Sequence, residues 1–507
     1  MGCCNNRPQV PTFELQFASK KQGQGYTAYL PFGARNAVLN AIKIAEEERG
    51  EPVYLVDIRR AFDRTAWVTV GPGTIGLNMA LCDLYRNDEI LCDREMNRYS
   101  VKGVNQETKS DQTGYELFSD RFHKMYTGYV FDKKGLIQPG PDTPVVNFDY
   151  LKELLLSKDL SRGKELEWIG KDAAKFRFLD GKVDMSGNKV AFCSYPRSGN
   201  SFLRNYLETI TGIATGSDIY IEITVSLQIM GMLAESHAAT DNVWITKTHH
   251  PWESVTPTKF NGNKCIFMMR NPIDVIPSLA SLGMLMSHSL QPDQEYHVDH
   301  PVWWHKFVKR TTWEIQQSFK TINENCMKAI PTYCIRYEDL RNEPLRVLTE
   351  LFCFVMDVPS IEGTVLEDRI KQQVAEGGSK KTIYKLKAST TGNSLSKNNF
   401  MYNEEQIALM KTELKEYLHY FGYAQNETKD SPTGFFEYTA EDNLTDDVKG
   451  LRDGFRRHNE KVLAALPNKT DKIPEYYFNG PDRYKAEFTF SKDYWITDQL
   501  TVGQKKK

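Results

Sequence analysis

The stretch Val190-Ala191-Phe192-Cys193-Ser194-Tyr195-Pro196-Arg197-Ser198-Gly199-Asn200-Ser201-Phe202-Leu203 constrains this 507-residue chain more than any other. It reads as a short apolar strand, a tight polar turn and the first turn of a helix. Val190 to Cys193 is brief and apolar, as a buried parallel strand tends to be. Gly199 lets the backbone come close to a ligand, and Ser198, Asn200 and Ser201 line the turn with short polar side chains. The helix that follows offers unpaired N–H groups and the positive end of its dipole. Such a turn is an anion site, most naturally for phosphate, and Arg197 adds a full positive charge. The Walker pattern G-x-x-x-x-G-K-[ST] is absent, so nucleoside triphosphate chemistry around bound magnesium, a P-loop kinase included, is not the first reading. Taken alone, the segment is equally well a Gly turn leading into a core helix; the rest of the chain decides.

Charge is nearly balanced, with 64 Lys and Arg against 66 Asp and Glu, which argues against a nucleic-acid partner. Aromatic residues at 12% speak for folded protein. No apolar run approaches the length of a membrane span and no charged-then-apolar leader is visible, so no transmembrane segment is expected. Several of the nine cysteines lie in apolar, strand-like runs, and none forms a C-x-x-C pair. No zinc or other metal site is expected, and a reducing, cytoplasmic compartment is the simpler reading.

Val243 to Pro251 contains Lys247, Thr248, His249 and His250. On a strand, residues two apart face the same way, so Lys247 and His249 can point into one cleft while His250 faces the other side. A Lys that holds charge on a leaving oxygen and a His that removes an acceptor proton suit transfer of an anionic group. Lys264 to Met269 reads as a further strand, and Arg270 then sits at its C-terminal end, where ligands bind in open α/β sheets. Arg is suited to forked phosphate contacts.

These segments together resemble the sulfotransferase family. Pro196 to Phe202 is similar to its 5′-phosphosulfate loop, P-K-S-G-T-T-W, and Thr211 to Ser217 to a T-G-I-x-T-G-S continuation found in one branch. Lys247-Thr248-His249 resembles the K-T-H-x-P segment, whose His is the general base. Arg270 to Ser278 resembles R-N-P-x-D-x-x-x-S, whose Arg and Ser grip a 3′-phosphate, although Pro277 interrupts the helix that presents Ser278. Tyr337-Glu338-Asp339-Leu340 matches a Y-E-D-L segment with a Tyr near adenine, and Phe202 stands where cytosolic members stack a Trp. Lys397-Asn398-Asn399-Phe400 keeps one end of the family's closing loop; Lys385 and Lys387 could replace the other.

The resemblance implies an α/β fold, a P-loop NTPase-like three-layer domain with a central parallel sheet, over residues 182–424. It implies 3′-phosphoadenosine 5′-phosphosulfate (PAPS) as donor and in-line sulfuryl transfer to a hydroxyl or amine of a small-molecule, lipid or protein acceptor, without a metal. His249, Lys247 and Arg197 would be catalytic. Arg197, Ser198, Gly199, Asn200, Ser201, Phe202, Arg270, Ser278, Tyr337 and Lys397 would hold the donor. Arg197 stands where the family has Lys and is a poorer point charge or proton donor. A second reading is therefore a membrane-tethered nucleotide-binding pseudoenzyme or scaffold without turnover.

Outside this domain, Met1-Gly2-Cys3-Cys4 (residues 1–10) resembles dual-acylated anchors, with Gly2 for myristate and Cys3 and Cys4 for palmitate. Asn6 departs from the preferred Ser or Thr, and an unmodified terminus is the alternative. Acylation would place the protein on the cytoplasmic face of a membrane. Residues 11–138 read as an N-terminal α+β extension with a helix over Phe32 to Glu48 and strands at Val53 to Ile58 and Thr65 to Val70; no chemistry is assigned to it. Residues 139–181 read as a linker and a helical segment, and residues 425–507 as a C-terminal helical or irregular tail.

Overall fold

Val190–Ser194 (β1) runs at the centre of a parallel sheet. The computed structural model describes residues 12–17, 26–31, 34–54, 57–58, 61, 84, 90–93, 98–101, 129–131, 137–139, 145–166, 177–182, 185, 187–218, 241–252, 259–285, 291–292, 295–376, 398–423, 454–468, 472–482 and 502–503. With Gly216–Ser217 (β2), Ile245–Thr248 (β3), Phe260–Gly262 (β4), Lys264–Met269 (β5) and Thr332–Arg336 (β6) named in chain order, the central sheet has the order β2-β3-β1-β5-β6. All its pairings are parallel. The order reverses at β1, and open sheets of this kind take ligands at the carboxyl ends flanking such a strand.

Both faces of the sheet are covered, which is why its strands read as unbroken apolar runs. Along β1, Ala191 and Cys193 enter one core while Val190 and Phe192 enter the other; along β5, Cys265, Phe267 and Met269 face the first and Ile266 and Met268 the second. The first core is closed by Pro272–Leu285, Pro301–Thr321, Glu404–Glu413 and Lys415–Tyr420; the second by Asn200–Thr211 (α1), Pro344–Met356 and Val365–Ala375. This is the three-layer arrangement the resemblance implies. The helix Phe148–Leu156, N-capped by the Asn147 side chain, adds Phe148, Leu151, Leu154 and Leu155 to the second core.

The C-terminal region is built into this domain. β6 ends the sheet, and an open edge invites pairing with other chains. Helix Gly454–Ala464 lies against it: Asn459 accepts from Cys334 N–H at 2.8 Å and donates to Cys334 C=O at 2.7 Å, as a neighbouring strand would. Farther on, Tyr476–Phe478 (β7) pairs antiparallel with β4.

Some sequence expectations shift. Of the strand expected over Val53 to Ile58, Val53–Tyr54 is a strand and Asp57 and Ile58 have helical backbone instead. Glu404–Glu413 and Lys415–Tyr420 are separated at Leu414, whose backbone (φ −100°, ψ 15°) leaves helical values while its side chain stays fully buried. Pro277 lies inside Pro272–Leu285 without ending it. A proline cannot donate to the carbonyl four residues back, and that carbonyl, of Ile273, accepts from the Tyr402 hydroxyl at 3.0 Å instead. Gly2, Cys3, Cys4, Lys397, Lys385, Lys387 and the strand expected over Thr65 to Val70 lie outside the described residues.

Asn459→Ala leaves the Cys334 N–H and C=O buried without partners, and is expected to destabilise the protein by about 2–4 kcal/mol. Urea unfolding checks this: the midpoint falls while the slope is unchanged.

Candidate active site

The chain leaves β1 through Tyr195 and Pro196 and turns at Arg197, whose φ of +69° is left-handed. Non-glycine residues reach that region at a cost of about 1–2 kcal/mol. Gly199 follows at φ +98° and caps α1, which begins at Asn200. A Cβ at Gly199 would lie 2.5 Å from Tyr337 Cδ2 and 2.8 Å from Met268 Cε, so only glycine fits beneath the Tyr337 ring. Phe202 and Leu203 N–H donate to the Gly199 carbonyl, so the N–H groups left unpaired by helix geometry at this turn are those of Asn200 and Ser201.

The residues expected to bind opposite ends of a donor nucleotide meet here. Arg270, just past the end of β5, donates from Nη1 to the Arg197 carbonyl at 3.2 Å. Arg197 Nε donates to Ser278 Oγ at 2.9 Å, so Pro277 does not turn Ser278 away. The Arg270 guanidinium lies over the Tyr337 ring at 4.6 Å, and Phe202 meets Tyr337 edge-on at 6.0 Å between centroids. Thus Arg197, Gly199, Phe202, Arg270, Ser278 and Tyr337 form one contiguous group. Asn200 is turned partly inward, its amide donating to Ser194 Oγ at 3.0 Å.

Buried Ser198 Oγ and Arg270 Nε find no hydrogen-bond partner among the described residues. Leaving such donors unmade is costly. Beside the turn of a helix N-terminus and the charge of Arg197, they fit an anionic ligand.

His249 lies just beyond the end of β3, its Nδ1 2.7 Å from the Ser194 carbonyl. A carbonyl only accepts, so Nδ1 carries the proton and Nε2 is the basic nitrogen. The imidazole therefore adjoins the residue that opens the turn at Arg197. Lys247 is buried within β3, in register with Phe192, and its charge acts on Asp218. His250 faces away: its Nε2 contacts the Tyr476 hydroxyl at 3.1 Å.

Sequence reasoning did not single out the groups that hold these side chains in place. The Tyr417 hydroxyl donates to the Arg270 carbonyl at 2.7 Å. Glu338 accepts from Asn271 N–H at 3.0 Å and from the Tyr423 hydroxyl at 2.8 Å, fixing the turn after β5. Burial raises the Glu338 carboxyl, and the nearby N–H and Arg270 oppose the shift. Asp218 directly follows β2; burial pushes its carboxyl up to about 6, opposed by hydrogen bonds from Thr248 and Asn479 and by the Lys247 charge. Glu338 lies inside the Y-E-D-L segment and Asp218 next to T-G-I-x-T-G-S, so position in a motif was the available signal. Tyr417, Tyr423 and Asn479 gave none. Among the described residues no group of His, Cys, Asp and Glu could hold a metal ion.

Residues 187–431 match the family model described as the sulfotransferase domain. The match covers just under half of the chain and identifies these residues as similar to that domain. No curated protein matches it. Among solved structures, a mouse sulfotransferase complexed with PAP is similar at 15% identity over 47% of this chain and 91% of its own, with a TM-score of 0.28.

Gly199→Ala is expected to destabilise the protein by about 1–3 kcal/mol, from backbone strain and the collision with Tyr337. Gly363→Ala, at φ +72° with nothing within 4 Å of the added carbon, carries only the strain. Thermal unfolding of the two variants side by side should rank Gly199→Ala as the more damaging.

Proposed function

We propose that the chain is a PAPS-dependent enzyme that transfers the sulfuryl group in line to a hydroxyl or amine acceptor. The observation that carries this reading is the joining of Arg270 and Ser278 to the phosphate turn through Arg197. A pocket with cationic and donor groups at both places suits a nucleotide bearing anions at its 5′ and 3′ positions. The donor supplies an activated sulfuryl group on a good leaving group.

In this reading Arg197, Ser198, Gly199, Asn200 and Ser201 hold the 5′-phosphosulfate with the first N–H groups of α1. Arg270 and Ser278 hold the 3′-phosphate and so favour this donor over ordinary adenosine nucleotides. Phe202 and Tyr337 supply aromatic surface for the base. Lys397 would close over the donor. His249, with its proton on Nδ1, takes the acceptor proton at Nε2. Lys247 and Arg197 balance the negative charge that grows on the departing oxygen. Acylation at Gly2, Cys3 and Cys4, on the cytoplasmic face of a membrane, belongs to the same proposal.

The test uses sulfur-labelled PAPS with phenols, aliphatic alcohols and amines as acceptors, for wild type and His249→Ala. Wild type is expected to yield labelled product. His249→Ala should lower kcat by about 10²–10⁴-fold while calorimetric binding of 3′-phosphoadenosine 5′-phosphate (PAP) stays within about threefold. Binding without product from any acceptor class would leave the scaffold reading in its place.

A further inference from the structure

We propose that residues 476–482, beyond the matched sulfotransferase domain, act as a positioning clamp on the strand end that carries Lys247 and His249. The inference rests on the sulfotransferase reading and adds to it a requirement for the C-terminal region.

The clamp is seated by β7. Phe478 is fully buried, stacks on Phe260 at 5.1 Å between centroids, and meets His250 edge-on at 5.5 Å. Gly262 makes room for it: a Cβ there would lie 2.8 Å from Phe478 Cε2. Beyond β7 the chain turns at buried Asn479, whose φ of +60° is left-handed.

From that turn Asn479 reaches both sides of the catalytic strand end. Its backbone N–H donates to His250 Nδ1 at 3.1 Å, and its side-chain amide donates to Asp218 Oδ2 at 2.7 Å. Because His250 Nδ1 accepts, the ring proton is on Nε2, which donates to the Tyr476 hydroxyl at 3.1 Å. That hydroxyl donates in turn to Asp482 Oδ2 at 3.0 Å. The polarity of each bond fixes the next, from N–H to imidazole to hydroxyl to carboxylate.

The same network reaches the other neighbour of His249. Thr248 Oγ1 accepts from the His250 N–H at 2.8 Å, and the Thr248 side chain helps hold the Asp218 carboxyl down. Asp218 N–H donates to the Lys247 carbonyl at 3.1 Å. Asn479 thus holds the His250 ring on one side of His249 and, through Asp218, the Lys247 carbonyl on the other, while the His250 N–H holds Thr248. The His249 backbone is thereby fixed between two anchored residues, which keeps Nδ1 on the Ser194 carbonyl and Nε2 aimed. None of the bonds just named from residues 476–482 ends on Arg197 to Ser201, so the clamp should govern the chemical step more than donor affinity.

The test compares point variants of the full chain. Asn479→Gly keeps the left-handed backbone and removes only the amide. Tyr476→Phe keeps the ring and removes the hydroxyl. Tyr477→Phe, on the exposed face of the same strand, is the matched control. With the best acceptor for wild type, Asn479→Gly and Tyr476→Phe are expected to lower kcat by about ten- to hundredfold. The KM for PAPS and the calorimetric Kd for PAP should stay within about threefold, and Tyr477→Phe should change nothing. Unchanged kcat in both variants overturns the clamp, as does a parallel loss of kcat and PAP affinity, which marks a general structural role. A wild-type protein without turnover overturns the sulfotransferase reading itself and the clamp with it.

Discussion

The hydrogen bond from Arg270 to the Arg197 carbonyl joins the loops at the carboxyl ends of two adjacent parallel strands. It holds the turn at Arg197 in a left-handed backbone that this residue would not adopt cheaply on its own. A charge-assisted bond of this kind contributes about 1.5–3 kcal/mol, enough to offset that strain. Arg270 is itself held from several sides: the Tyr417 hydroxyl takes its carbonyl, Glu338 takes the next N–H, and Tyr337 lies under the guanidinium. Positive charge and unmade donors are thus fixed in place by the fold, the form of preorganisation that stabilises anions most effectively.

That rigidity depends on a sheet buried on both faces. Alternation along β1 and β5 sends neighbouring side chains into opposite cores, so neither strand can slip by a residue without carrying side chains packed in one core into the other. Regions outside the matched domain complete it: Phe148–Leu156 fills one core, Asn459 closes the β6 edge, and β7 lies against β4. Residues 454–468 and 472–482 are part of the platform on which the site stands.

The central domain was legible because its strands are short apolar runs ending in polar turns at spacings that local geometry dictates. Gly199 announced a close approach, and the side chains of Arg197, Arg270 and Ser278 lay in recognisable patterns. Pro277 showed where propensity misleads: a proline looks like a helix breaker, yet a tyrosine more than a hundred residues away supplies the missing bond. Asn459 and Asn479 were illegible for the same reason. Each acts through a partner distant in the chain, Cys334 and Asp218, and no local period or motif marks an asparagine that caps a sheet edge or turns a buried corner. The tail was read as helical or irregular because its polar composition hides the few residues that reach the core.

The claim that one pocket senses negative charge at both extremities of a single nucleotide is tested most directly by a ligand-and-residue cycle. Calorimetric binding of PAP and of adenosine 5′-phosphate would be measured for wild type and Arg270→Ala. The account predicts that PAP binds the wild type at least about tenfold more tightly, that Arg270→Ala loses about 1.5–3 kcal/mol of PAP affinity, and that binding of the 5′-phosphate alone barely changes. Equal losses for both nucleotides, or no preference for PAP in the wild type, would contradict it.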